Sequence, residues 1–213
     1  MQTRRPWLRR ASVTAVSAAA LVAMAAPADA TTATPASASA TAASTAAAAD
    51  VDYATWQKDC QAVMGQALPY LKQRIAAAKP GEKQAIVFDI DNTTLETDFG
   101  FSYPQPANKP VLEAARYAQD RGVALFFVTA RPDIIYSFTD YNLKQTGYRV
   151  SGLYVRNFID LFKNVAEYKT AQRVDIEKKG YTIIANIGNS ATDLSGGHAE
   201  KTYKLPDYDG QLS

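Results

Sequence analysis

Asp89 and Asp91 are the residues of this 213-residue chain best placed to do chemistry together. They stand two apart at the end of the largely apolar run Ala85-Ile-Val-Phe-Asp-Ile-Asp-Asn-Thr93. Residues two apart on an extended strand face the same way, so both carboxylates can address one reacting group. Two acids at one centre suit a division of labour in which one attacks as a nucleophile and the other trades a proton. In an open α/β sheet, ligands bind beyond the carboxyl ends of the strands, which is where this pair falls. The same Asp-x-Asp-Asn string is also good turn chemistry, because Asp and Asn bond their own backbone two residues on. A calcium loop fails on pattern: Thr94 stands where an EF-hand needs Gly, and Gly100 where it needs the bidentate Glu.

The elements that must position this pair follow from periodicity and punctuation. Residues 53–79 have the pattern of a helix, with a kink or break expected at Pro69 and an end at Pro80-Gly81. Strands are expected over 84–90, 123–129, 153–155 and 181–187, and helices over 110–121, 132–145 and 163–179. Alternating strands and helices of these lengths imply right-handed crossovers and a parallel, Rossmann-like α/β sheet flanked by helices, with an N-terminal helical segment. The strands are near-continuous apolar runs, as buried parallel strands are. Polar residues at their carboxyl ends therefore stand out: Asp89 and Asp91, Thr129 followed by Arg131, and Asn189 with Asp193. All converge on one rim.

Length leaves room for one domain, expected over 51–213. Residues 1–30 have the layout of a secretory signal peptide: Arg4, Arg5, Arg9 and Arg10, then a small-residue apolar stretch, then Ala28-Asp29-Ala30 as a cleavage site. The stretch is too short and too weakly apolar for a spanning helix. Thr3-Arg4-Arg5-Pro6-Trp7-Leu8-Arg9 also resembles a twin-arginine signal. Export to the outside is expected by either route, with no lipid anchor because the signal region has no Cys. Without residues 1–30 the formal charge of +2 becomes −1, with 19 basic and 20 acidic residues. The excess of base is therefore a property of the signal and gives no support to nucleic-acid or membrane binding. Residues 31–49 contain only Ala, Ser, Thr and Pro35, so 31–50 is expected to be a disordered leader. Cys60 is the only cysteine, so stability must come from the core.

Four strings taken in order resemble the haloacid dehalogenase (HAD) superfamily. They are Asp89-Ile-Asp91-Asn-Thr93, the strand end Phe-Phe-Val-Thr129-Ala-Arg131, Lys169 on a later helix, and Gly188-Asn189-Ser-Ala-Thr-Asp193. Within the superfamily the chain is similar to the secreted acid phosphatase branch, which includes bacterial class B and C enzymes and plant vegetative storage proteins. The resemblance implies a magnesium-dependent acid phosphatase acting on small phosphate monoesters. In that reading Asp89 attacks phosphorus and carries an aspartyl-phosphate, while Asp91 protonates the leaving oxygen and then activates water. Thr129 bonds a phosphoryl oxygen, and Lys169 offsets the gathered negative charge.

The resemblance also implies Mg2+ ligands: the Asp89 side chain, the Asp91 backbone carbonyl and a third from the last motif. The family commonly has Gly-Asp where this chain has Gly188-Asn189. The third ligand is then Asp193, Asn189, or both with one acting through water. Arg131 is either a phosphate or substrate contact at a helix start or a plain surface charge. Arg173, one turn after Lys169, either helps position the site or pairs with an acid. The segment 94–109 is too short for a large cap, which leaves an open site. Phe99, Phe101 and Tyr103 within it either stack on an aromatic leaving group or pack in the core. His198, the single histidine, sits on a glycine-rich loop, and aspartate chemistry does not need it. Competing functions are a weakly active or non-enzymatic storage or binding member of the family, for which Asn189 speaks, and a phosphotransferase with an alcohol in place of water. A dehalogenase fits less well, because Asp91 and Thr93 belong to the phosphatase form of the motif.

Overall fold

The computed structural model describes residues 51–100 and 102–212. The expected signal peptide, the expected leader and Phe101 lie outside the described residues. In chain order the elements are α1 (Tyr53–Ala76), β1 (Lys83–Phe88), α2 (Lys109–Gln119), β2 (Ala124–Pro132), α3 (Tyr136–Thr146), β3 (Val150–Arg156), α4 (Val165–Lys178), β4 (Tyr181–Gly188), α5 (Ala191–Leu194) and β5 (Thr202–Lys204). Short 3-10 turns occupy Asp133–Ile135 and Asp160–Phe162. The strands form one parallel sheet in the order β3-β2-β1-β4-β5. The chain moves outward from β1 to β3, then returns to the other side of β1 for β4 and β5. That reversal makes the crevice between the carboxyl ends of β1 and β4 a topological switch point.

Alternation along the strands builds two cores. Ile86 and Phe88 of β1 pack with α1, α2 and Leu143 of α3 on one face, while Ala85 and Val87 pack with Tyr168 and Ile176 of α4 on the other. Each such large apolar side chain removed from water contributes about 1.5–3 kcal/mol. Helix α1 buries Trp56, Cys60, Met64, Ala67, Leu71 and Ile75, a stripe at helical spacing. Its first turn is capped by Asp52, whose Oδ2 accepts from the Thr55 N–H at 2.8 Å.

Four local features differ from the sequence expectation, and three have plain physical reasons. Helix α1 runs unbroken through Pro69. Both Pro69 and Gly65, whose carbonyl the proline leaves without a partner, face solvent, so water can take over that bond. Strand β2 continues past Thr129 to Pro132, and α3 starts only at Tyr136. A residue before proline is pushed to extended backbone, which keeps Arg131 in the strand and not at a helix start. Strand β3 spans Val150–Arg156, longer than the three residues expected, because pairing to β2 carries it through Ser151 and Gly152. Strand β5 was not anticipated; it adds Thr202–Lys204 to the edge of β4. Between β1 and α2 the described residues form turns and single bridges with no helix, so the cap is minimal.

Candidate active site

Asp89 is the first residue beyond β1, and the sheet still holds it: its N–H donates to the Ile187 carbonyl at 2.9 Å. The chain then turns tightly. The Ile90 carbonyl accepts from the N–H groups of Thr93, Thr94 and Leu95 at 3.0–3.1 Å, and the Thr94 hydroxyl donates to the Asp89 carbonyl at 3.1 Å. Asn92 takes a left-handed backbone (φ 51°), which Asn tolerates better than most residues.

One cation and two acids form the buried centre. Lys169 of α4 places its ammonium 2.7 Å from Oδ1 of Asp89 and also on Oδ1 of Asp193. The three side chains are only 5%, 6% and 2% exposed. Burial pushes the Asp89 carboxyl upward, as do the nearby Asp193 and Asp91 charges, while the Lys169 ammonium holds it down. Burial also works against the charge on Lys169, but Asp89 and Asp193 outweigh it and keep that ammonium above its ordinary range. On balance the Asp89 carboxyl stands above its ordinary range, and the contact of Lys169 with both acids has the geometry of an ion pair. Oδ2 of Asp89 accepts no hydrogen bond among the described residues, nor does the main-chain carbonyl of Asp91.

Asp193 is held from several sides. Its Oδ2 accepts from the Ser190 N–H at 2.8 Å, closing a capping box on the short helix α5. Its main-chain carbonyl accepts from Arg173 Nη1 and Asn186 Nδ2, both at 2.8 Å. Arg173 also donates to the carbonyls of Ser195 and Gly197. Arg173 therefore pairs with backbone and not with an acid side chain, and it fixes the loop that carries Asp193. Gly188 makes the close approach possible, since a Cβ there would collide with the Asp193 side chain. Asn189 is 2% exposed; its Oδ1 accepts from the Thr93 hydroxyl at 3.2 Å and its Nδ2 donates to the Leu212 carbonyl.

Asp91 is gripped by a second cation, Arg131. Arg131 Nη2 donates to its Oδ1 at 2.7 Å, and Nε lies 3.1 and 3.2 Å from Oδ2 and Oδ1. The Thr97 hydroxyl adds a fourth bond at 2.9 Å. Burial raises the Asp91 carboxyl, but the bonds and charge of Arg131 outweigh it and hold the group below the ordinary carboxylate range. Arg131 is itself placed by Gln105, whose Oε1 accepts from Nη2 at 3.0 Å. Asn142 of α3 in turn grips both the N–H and the carbonyl of Gln105 at 2.8 Å. Thr129 is fully buried at the rim, and its Oγ1 accepts from the Arg131 N–H at 3.1 Å, which leaves the hydroxyl hydrogen to donate elsewhere.

The remaining candidates divide. Tyr103 joins Asp91, Arg131, Ile135, Phe138 and Thr139 around an open cleft of about 480 Å³. Its hydroxyl donates to the Phe138 carbonyl at 3.0 Å. Phe99 stacks on Trp56 at 4.3 Å between ring centres and packs against the core. His198 pairs with Glu177 at 2.6 Å beside the start of β4, at the other end of the strand from Gly188. Thr97, Gln105, Asn142 and Leu212 are members of these networks that the sequence did not single out. Ser190-x-x-Asp193 carries a signal that could have marked α5, because Ser followed three residues later by an acid is a helix-start signature.

Residues 9–211 match the HAD superfamily, subfamily IIIB (Acid phosphatase), and the chain belongs to that family. It is similar to the "Stem 28 kDa glycoprotein" and a "Stem 31 kDa glycoprotein" of Glycine max, each 31% identical over 119 residues. That stretch is 54% of this chain and 47% and 41% of the two glycoproteins, so it spans less than half the length of either relative. The fold is similar to the class C acid phosphatase from Bacillus anthracis, solved with tungstate bound, at a TM-score of 0.53 and 16% identity over 68% of this chain and 67% of that one. No helix among the described residues is long and apolar enough to cross a membrane.

The donors around Asp89 suit a hard ion. Among the described residues no three His, Cys, Asp or Glu side chains form a ready-made metal site. Magnesium does not need one: it keeps several waters and takes one or two carboxylates together with a substrate phosphate. The free carboxylate oxygen of Asp89, the free Asp91 carbonyl and an oxygen from Asn189 or Asp193 are all hard oxygen donors.

Proposed function

We propose that this chain is an exported, magnesium-dependent acid phosphatase that hydrolyses small phosphate monoesters through an aspartyl-phosphate on Asp89. The observation that carries the reading is the buried Lys169 ammonium on Asp89, with Asp91 two residues on at the same strand end. A phosphate dianion beside two carboxylates needs cationic compensation, and Lys169 and Arg131 are the two cations at hand. The export part of the proposal rests on the sequence of residues 1–30.

The steps follow from the residues. The Asp89 carboxylate attacks phosphorus in line while the P–O bond to the leaving group breaks. Asp91 gives its proton to the departing oxygen, and the Thr129 hydroxyl bonds a phosphoryl oxygen. Water then attacks the phosphorus of the aspartyl-phosphate, its proton passes to Asp91, and Asp89 returns as a carboxylate. Arg131 has two possible anionic partners. While it holds Asp91, that carboxyl favours the ionised form; drawn to an arriving phosphate, it leaves Asp91 free to take the proton that the first step requires. Asp89, the Asp91 carbonyl and Asn189 or Asp193 would hold Mg2+, which supplies charge neutralisation at the phosphoryl group. The cleft bordered by Tyr103, Ile135 and Phe138 would receive the organic part of the ester, with Phe101 as a further candidate contact.

A second reading, a member that binds phosphate esters with little or no turnover, is favoured by one observation: both ends of the Asn189 amide are already engaged, and it brings no charge. Hydrolysis of a chromogenic aryl phosphate by residues 51–213 across pH 4 to 8, with and without magnesium, separates the two. Metal-dependent release that disappears in Asp89→Asn is the expected result. A folded wild-type protein that releases nothing at any pH would sink the enzyme reading and leave the binding one.

A further inference from the structure

Two asparagines from two different site loops aim their amides at one main-chain oxygen. Asn92 lies in the turn after β1 and Asn189 follows β4; the Nδ2 of each donates to the Leu212 carbonyl, that of Asn92 at 3.3 Å. All three residues are buried, with 1%, 2% and 4% of their surface exposed. A carbonyl oxygen only accepts, so whatever faces it from position 189 must donate. The opposite end of the same amide accepts from the Thr93 hydroxyl at 3.2 Å. The amide of Asn189 thus ties the turn holding Asp91 to a segment more than a hundred residues away in sequence. That segment is anchored elsewhere too, since the Tyr208 hydroxyl donates to Asp59 Oδ2 on α1 at 2.7 Å, and it is closed on itself by the Leu212 N–H, which donates to the Asp207 carbonyl at 3.1 Å.

We infer that residues 207–212 are a strut of the active site, and that position 189 carries an amide because it must donate to the Leu212 carbonyl. An ionised aspartate there would set acceptor against acceptor in a place closed to water, an arrangement the fold would have to open to relieve. The departure from Gly-Asp is therefore a change of task at position 189, from bringing charge to joining two parts of the chain. The amide oxygen stays turned toward the nucleophile turn because the nitrogen is held from behind. This inference does not depend on the phosphatase reading, since it concerns how the turn and the segment are held and not what they bind.

The competing account makes Asn189 only a less charged ligand and leaves residues 207–212 held by the packing of the Leu212 side chain. Amide hydrogen exchange followed by mass spectrometry, on protein without added metal or substrate, distinguishes them. Asn189→Asp is expected to speed exchange within 207–212 by roughly tenfold, the scale of one lost buried hydrogen bond, while β1 and β2 keep their protection. Asn189→Ala, which removes the donor without adding a charge, is expected to loosen the same segment and serves if the aspartate variant does not fold. Leu212→Ala keeps the carbonyl and removes the packing, so it is expected to loosen the segment less than Asn189→Ala. Exchange in 207–212 at the wild-type rate in the Asn189 variants, or loosening in Leu212→Ala alone, would overturn the inference.

Discussion

Arg131 closes on Asp91 through its Nε and Nη2, the shortest contact being 2.7 Å, and so occupies the carboxylate that the proposed chemistry needs as a proton donor. A lowered carboxyl is ionised at pH values where a free one still carries its proton. Removing Arg131 takes away the largest group holding Asp91 down, so its carboxyl rises and keeps a proton to higher pH. In Arg131→Ala the alkaline limb of the kcat/KM profile is expected to move to higher pH. Peak kcat/KM is expected to fall by about 10- to 100-fold, the worth of one charge-assisted bond to phosphate. A pH–rate profile on one aryl phosphate measures both effects; an unmoved limb would mean that Arg131 does not govern the proton on Asp91.

Lys169 stands between Asp89 and Asp193 with almost no access to water. Lys169→Met leaves two buried carboxylates facing each other, a loss on the order of 3–5 kcal/mol for a broken buried pair. Part of that loss should be recovered on acidification, because protonating either acid removes the repulsion. Urea unfolding at pH 8 and pH 5 reads this directly: the variant's deficit relative to wild type is expected to shrink at the lower pH.

Glu82 shares Arg74 with Glu200, and the bonds from Arg74 hold its carboxyl at about 2 against an ordinary 4.5. A depressed carboxyl contributes stability that is present above 4.5 and fades as pH falls toward about 2. Thermal unfolding followed from pH 6 to 2 is therefore expected to show a smaller acid-side decline in Glu82→Gln than in wild type. Equal slopes for the two proteins would count against the ion pair.

Cys60 lies fully buried on the inward stripe of α1, and burial pushes its thiol up to about 11. At pH 8 only about one thiol in a thousand is then ionised, and the reactive species is the thiolate. A maleimide reagent is expected to leave the native protein unlabelled and to modify Cys60 once denaturant opens the core.

The parallel sheet and its rim were legible because buried parallel strands are near-continuous apolar runs, so Asp89 and Asn189 break the pattern just past the ends of β1 and β4, and Thr129 breaks it within β2. Strand β5 and the first residues of β3 escaped. Strand β5 buries only Tyr203 of its three residues, too little for any period to register. Strand β3 begins with residues, Val150-Ser-Gly152, whose pairing depends on β2 and not on their own preference. Within the site, Asp89 and Asp193 were identifiable from residue type and place, and Lys169 from the resemblance; the structure brings the three together. The grip of Arg131 on Asp91 was not, because it depends on which of several anions lies in reach once Pro132 has extended the strand. The Leu212 carbonyl had no signature at all, since every residue carries one and only the fold chooses which is used. Phe99, anticipated as either a platform or core, turns inward to Trp56, where three aromatic rings gather.

Strand order also sets a timetable. β1, which leads to Asp89, is made first of the strands, yet its second neighbour β4 begins only at Tyr181, and β5 and Leu212 come later still. A growing chain therefore displays Asp89 and Asp91 long before Lys169, Asp193 or the Leu212 carbonyl has been synthesised. The cluster cannot exist in a nascent molecule that has not yet passed Leu212, so the site comes into being only after β4, β5 and the 207–212 segment have all been made.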